Sequence, residues 1–186
     1  MCELRGVPVV EPAYALLGVA AEHGLRATVV ALDGALRTGI LQPLRVADVL
    51  ARCSGWPGRP TLQSAMSVAD PLCESPGETL TRLLLRSLGI PARSQVLIQA
   101  SAPAFNARVD FLLETHPVVI EFDGMVKYGS VDEAANRRVL VAEKLREDRL
   151  RSLGYEVVRL VWADLKNPDL VRRRIDEACR RSVKVA

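Results

Sequence analysis

Aromatic residues are scarce in this chain: two Trp, three Tyr and three Phe in 186 residues, 4% in all. The core must therefore be aliphatic, and a hydrophobic content of 49% supplies it. That suffices for one sizeable core, or for one core with a smaller helical lobe. Histidine is scarcer still. Only His23 and His116 occur, and neither pairs with a nucleophile in the sequence. The four cysteines (Cys2, Cys53, Cys73, Cys179) form no CxxC pair and have no histidine at ligand spacing. Structural zinc is not expected; reduced thiols in a cytoplasmic protein are. No GxSxG elbow and no P-loop occurs, which leaves serine-hydrolase and NTPase readings without support. No uninterrupted apolar run approaches the roughly 20 residues of a membrane span. The N-terminal MCELRGVPVVEP lacks a basic segment followed by a long apolar one. Neither a membrane partner nor a signal peptide is expected.

Lysine is also rare. Arginine supplies 21 of the 25 basic residues. The net charge of +3 is unevenly spread. Residues 1–70 hold six basic and six acidic groups, and residues 71–143 hold seven and nine. Residues 144–186 hold twelve and seven, a local net of +5. Arginine grips phosphate with a two-pronged fork, so an Arg-rich end suits nucleic acid. The plainer alternative is a set of solvated helix faces in an arginine-biased chain.

The first 70 residues read as helical. Pro12 opens a helix through His23, and Gly24 ends it. Leu25 to Thr38, Pro43 to Cys53 and Thr61 to Ala69 offer three more, with a turn cluster at Ser54–Pro60. Ser75-Pro76-Gly77-Glu78 then starts a stronger helix. Ser75 is a natural N-cap, Pro76 fits the first helical position and Glu78 completes a capping box. Gln95 to Gln99 reads as a strand. Val131 to Leu153 reads as a long charged helix, Glu156 to Val161 as a strand, and Pro168 to Arg181 as a closing helix.

Between them lies ARVDFLLETHPVVIEFDGMVK, Ala107 to Lys127. Val109–Leu113 and Val118–Phe122 are rich in apolar and β-branched residues and flank a Thr-His-Pro turn, the pattern of a hairpin. Each strand carries one acid, Asp110 or Glu121. A carboxylate is costly to desolvate and rarely sits in a buried strand without a partner. Two on neighbouring strands, followed by Asp123, Gly124 and Lys127, suggest a metal-binding constellation. From Ser75 the order is α-β-β-β-α-β-α, which implies an α/β (α+β) domain with a mixed sheet flanked by helices.

That order, together with Ser75–Glu78, Arg108–Phe111, Glu121–Gly124 and Glu143–Arg159, resembles the PD-(D/E)XK nuclease superfamily. More narrowly, it is similar to a domain of unknown function related to very-short-patch-repair endonucleases. The resemblance covers about residues 71–182. The preceding residues are similar to the middle of actinobacterial proteins that join an abortive-infection-antitoxin-like region to such a domain. Those proteins usually begin with a winged helix-turn-helix, so the chain is expected to be a fragment or a short variant. The resemblance implies a helical lobe at 1–70 and a restriction-endonuclease-like domain at 71–186.

In the superfamily, acids of the second and third core strands hold one or two Mg²⁺ ions. The matching residues are Asp110 and Glu121, with the backbone carbonyl of Phe122 as third ligand; Mn²⁺ is an accepted substitute. Such a site suits a metal that prefers hard oxygen donors. The superfamily's lysine sits two residues after the third-strand acid, where this chain has Asp123. Either Lys127 reaches back in its place, or Asp123 is a further ligand. Nucleic acid, DNA first, is the implied partner, and a homodimer is left open.

Each residue also has a plainer reading. Asp110 then pairs with Arg108 or Arg159, and Glu121 makes a strand-end salt bridge. Asp123-Gly124 turns the chain, and Glu78 caps its helix instead of serving as the active-site acid of some superfamily members. Lys127 becomes a solvated loop residue. Lys144 and Arg149 line a nucleic-acid cleft or belong to ordinary i,i+4 pairs, as in Lys144–Asp148 and Glu147–Arg151. Arg159 partners a buried acid or contacts phosphate. Two functions follow: a Mg²⁺-dependent endonuclease, or an inactive DNA-binding or antitoxin-like regulator on the same scaffold.

Overall fold

Pro12, Pro43, Pro76 and Pro168 each stand at the first residue of a helix, where a missing N–H leaves no hydrogen bond unmade. The computed structural model describes residues 2–101, 104–124 and 133–183, with backbone only at 2, 4, 133–140 and 183. The described residues form an α/β architecture with six α-helices and a four-stranded mixed sheet. The chain divides into two compact units, Met1–Leu80 and Thr81–Ala186.

The first unit opens with an antiparallel hairpin, β1 (Cys2–Leu4) and β2 (Val7–Val9). The residues of this lobe read as helical from the sequence, and the hairpin corrects that expectation at its start. Arg5 and Gly6 both have positive φ, 51° and 79°, and two such residues make the tight turn that matches strand twist. Helix α1 (Pro12–Arg37) is one run broken at Gly24, whose φ of 71° and ψ of −171° are not helical. By length and composition alone it passes as a membrane span, with mean hydropathy 1.3. However, Gly24 interrupts it, and Leu16, Leu17, Val29 and Leu32 are buried within the protein. Helices α2 (Pro43–Arg52) and α3 (Arg59–Met66) pack beside it. Arg45 ties α2 to Glu11 (Nη2–Oε2 2.6 Å) and holds the Glu11 carboxyl below its usual range. Asp33, 1% exposed, accepts the Asp70 N–H at 2.8 Å and the Thr79 hydroxyl at 2.9 Å.

Helix α4 (Pro76–Ser87) runs across the boundary between the units. Gly89, with φ 67°, ends it. The second unit continues with β3 (Ala92–Ser101), β4 (Ala104–Leu113), β5 (Val118–Phe122), α5 (Glu133–Ser152), β6 (Glu156–Leu160), a short 3₁₀ turn and α6 (Pro168–Val183). This is the order expected from residue 75 onward. The sheet order is β3-β4-β5-β6, antiparallel except for the parallel β5–β6 pair. Strand β5 is buried at four successive residues, Val118 to Glu121. Both of its faces are therefore covered, as parallel pairing requires. Leu150 of α5 packs on Val109, Val119 and Val157. Fully buried, it contributes about 2 kcal/mol of hydrophobic stabilisation. Helix α6 packs against β5 and β6 and buries Val171, Ile175 and Ala178, one apolar stripe at helical spacing.

Candidate functional site

The two strand acids stand where regular pairing stops. The β4–β5 ladder runs through Leu112↔Val119 and Phe111↔Ile120. Beyond it the Phe122 N–H is bound by the Asp110 side chain, Oδ2 at 2.8 Å, so a carboxylate takes over the ladder's role. On the other side, β3 pairs with β4 on both flanks of Asp110, Ser94↔Phe111 and Val96↔Val109. The residue between, Gln95, has φ 51°, which interrupts pairing without shifting register. Asp110 thus stands at an interruption of the register on both sides, and its carboxylate lies against the residue following Glu121.

Glu121 is nearly covered, with its side chain 11% exposed, and it faces α5. Parallel pairing sets Glu121 beside Arg159 of β6. Arg146 of α5 donates Nη2 to Glu121 Oε1, and Arg159 Nη2 lies 3.7 Å from Glu121 Oε2. Both arginines have other partners. Arg146 also grips Glu143, through Nε at 3.2 Å and Nη2 at 3.0 Å. Arg159 bonds Glu143 and, through Nε at 3.0 Å, Glu147. Glu147 in turn receives Arg151 at 2.8 Å. Three carboxylates and three guanidiniums alternate in one connected network. Hydrogen bonding from Arg146, against opposing burial, holds the Glu143 carboxyl below its ordinary 4.5. Burial works against the charge on Arg146, yet hydrogen bonds with Glu143 and Glu121 raise its pKa above the ordinary value.

The strand end carries further groups. The Asp123 N–H donates to the Leu160 carbonyl at 2.8 Å, extending the β5–β6 ladder by one rung. The Phe122 and Trp162 rings meet edge to face, 4.9 Å between centroids, and Trp162 is 41% exposed. Gly124 follows closely: a Cβ there would lie 3.3 Å from the Phe122 ring. At the hairpin turn, the far end of β4 and β5 from Phe122, a shallow hollow of about 390 Å³ is lined by Arg93, Glu114, His116 and Tyr155. His116 contacts Thr115 there, 2.9 Å between side-chain atoms.

The sequence candidates are distributed as follows. Asp110, Glu121, Phe122 and Asp123 share the strand end. Arg159 joins the network as the partner of a buried acid. Lys144 is exposed on α5, and Arg149, on the same helix, reaches Ser152 at 3.3 Å. Lys127 lies outside the described residues. Glu78 belongs to the first unit and completes the capping box. Its Oε1 accepts the Ser75 hydroxyl at 2.8 Å, its Oε2 accepts the Glu74 N–H at 2.9 Å, and its own N–H reaches Ser75 Oγ at 3.2 Å. Both of its oxygens serve the helix terminus. The sequence alone assigns no role to Arg146 or Glu143. The signal available for them was the Glu143-x-x-Arg146 spacing on a helix that must pack on β5.

As to a metal, the donors suit a hard cation: two carboxylates and backbone oxygens at adjoining strand ends. Among the described residues, no three His, Cys, Asp or Glu side chains stand close enough to hold one ion together. Glu121 already carries a cation in the form of Arg146. The donor chemistry fits Mg²⁺ or Mn²⁺ once that guanidinium yields its place. Comparison with protein-family models, curated proteins and solved structures gives no match to this chain.

Proposed function

We propose that the second unit hydrolyses phosphodiester bonds in nucleic acid, DNA first, with Asp110 and Glu121 holding Mg²⁺ or Mn²⁺. The observation that supports this most is the hydrogen bond from the Phe122 N–H to Asp110 Oδ2, which sets the first acid against the strand end occupied by the second. Asp110, Glu121 and the Phe122 carbonyl would be the ligands, and Asp123 a further acid beside them. The metal, when bound, would lower the pKa of a coordinated water and neutralise charge on the phosphate. Arg149 of α5 and Arg159 of β6 supply positive charge that holds the backbone of the substrate. The resemblance to restriction-endonuclease-like domains is consistent with this assignment; fold likeness alone does not set function.

A second reading is an inactive nucleic-acid-binding regulator on the same scaffold. The ion pairing of Glu121 with Arg146 and Arg159 favours it, because a carboxylate neutralised by arginines is also a structural fixture. The deciding experiment is cleavage of plasmid and short single- and double-stranded oligonucleotides with Mg²⁺ or Mn²⁺. Wild type is compared with Asp110→Asn and Glu121→Gln. Cleavage lost by about a hundredfold or more in both variants supports the hydrolase. Equal inertness of all three on DNA and RNA, with binding that weakens steeply as salt rises, supports the regulator.

A further inference from the structure

We infer that Arg146 is an exchangeable counter-ion: a divalent cation arriving at Glu121 displaces its guanidinium, which stays tethered to Glu143 and turns to bind the phosphodiester. This rests on Asp110 and Glu121 being metal-binding acids, and adds how the site is kept until metal and substrate arrive. Arg146 bridges carboxylates on two different elements, with unequal hold. It meets Glu143, three residues earlier on its own helix, through two nitrogens. It meets Glu121, on β5, through Nη2 alone. Losing Glu121 therefore costs Arg146 one charge-assisted bond and leaves the other pair in place. Arg159 is equally provided for, with Glu143 and Glu147 in reach when its 3.7 Å approach to Glu121 is given up. Neither arginine is stranded in a half-buried position when a metal takes the acid, and stranding is what makes breaking most buried ion pairs costly.

A released guanidinium is a planar fork matched to phosphate oxygens, so displacement by metal exposes a phosphate-binding group beside the acids. Metal and substrate binding become coupled through one side chain, and coupling of this kind is reciprocal.

The test is calorimetric titration of Mn²⁺, without nucleic acid, into wild type, Arg146→Met, Arg146→Lys and Arg151→Met, each checked for cooperative unfolding. Arg146→Met is expected to bind Mn²⁺ about tenfold tighter than wild type, the scale of one charge-assisted hydrogen bond. Arg146→Lys falls between them, and Arg151→Met, whose side chain touches Glu147 but not Glu121, matches wild type. In a second arm, a 12-nucleotide DNA duplex binds Arg146→Met several-fold more weakly than wild type in Ca²⁺ and equally in EDTA. Unchanged or weaker Mn²⁺ affinity in Arg146→Met overturns the exchange and leaves the metal site standing. No Mn²⁺ binding to any of the proteins overturns both. If Arg146→Met does not fold, Arg146→Lys decides: a few-fold tightening supports the exchange, and equality with wild type overturns it.

Discussion

Asp33 in the first unit and Glu121 in the second are both buried acids, and the donors that meet them include different kinds. Asp33 is bound by a backbone N–H and a hydroxyl, from Asp70 and Thr79. One is a backbone group and the other a short β-branched side chain on α4, so neither has far to move. Glu121 is bound by the guanidiniums of Arg146 and Arg159, at the ends of long side chains that each keep a second carboxylate. A buried acid with fixed donors organises the fold. A buried acid held by long side-chain cations is the kind that the proposed exchange requires, and the function proposed for the second unit rests on it.

The contrast breaks if the two acids respond alike to mutation. Asp33→Ala removes the acceptor of a part-buried N–H and of a buried hydroxyl, and a loss of about 2–3 kcal/mol in urea unfolding is expected. Glu121→Gln keeps shape and a weak acceptor while Arg146 rests on Glu143, so a loss of about 1 kcal/mol is expected in the same measurement. Equal losses, or a larger one for Glu121, would mark Glu121 as a structural fixture after all.

Acid sharpens the comparison further. The folded-state pKa of Glu143 is depressed by Arg146, so its contribution to stability is fully present above the ordinary 4.5 and is lost as pH falls through the depressed value. The melting temperature of wild type should decline from pH 5 downward, and Glu143→Gln should flatten that decline. A slope identical in both proteins would show the network carries no stability. The smallest effect belongs to Arg151, at the exposed end of the network with its side chain 48% accessible. Arg151→Met should shift unfolding free energy by about 0.5 kcal/mol or less in urea titration.

Local rules carried much of the fold. Gly24, Gly89 and Gly154 break or end helices because each takes a positive φ. Ser75 and Glu78 form the reciprocal bonds that their spacing promised. Strand acids Asp110 and Glu121 were visible because a carboxylate in an apolar strand is conspicuous. The hairpin at Arg5-Gly6 is not legible in the sequence, since three-residue strands leave almost no periodicity to read. The ion network was only half legible. Glu147–Arg151 follows from helical spacing, but Arg146–Glu121 and Arg159–Glu143 depend on how β5, β6 and α5 stack, and spacing along the chain carries no trace of that. Arg159 has two readings in the sequence, a partner for an acid or a phosphate contact, because its neighbour across the parallel pair is fixed only by register.

The left-handed Gln95 has a further effect, on how the molecule meets its neighbours. Strand β3 is the outer strand of the four-stranded sheet. A residue of the wrong hand in mid-strand throws the flanking N–H and C=O groups out of line, so an incoming strand from another chain finds no continuous row to grip. The irregularity that interrupts the register beside Asp110 thereby also makes this edge a poorer template for unwanted self-association.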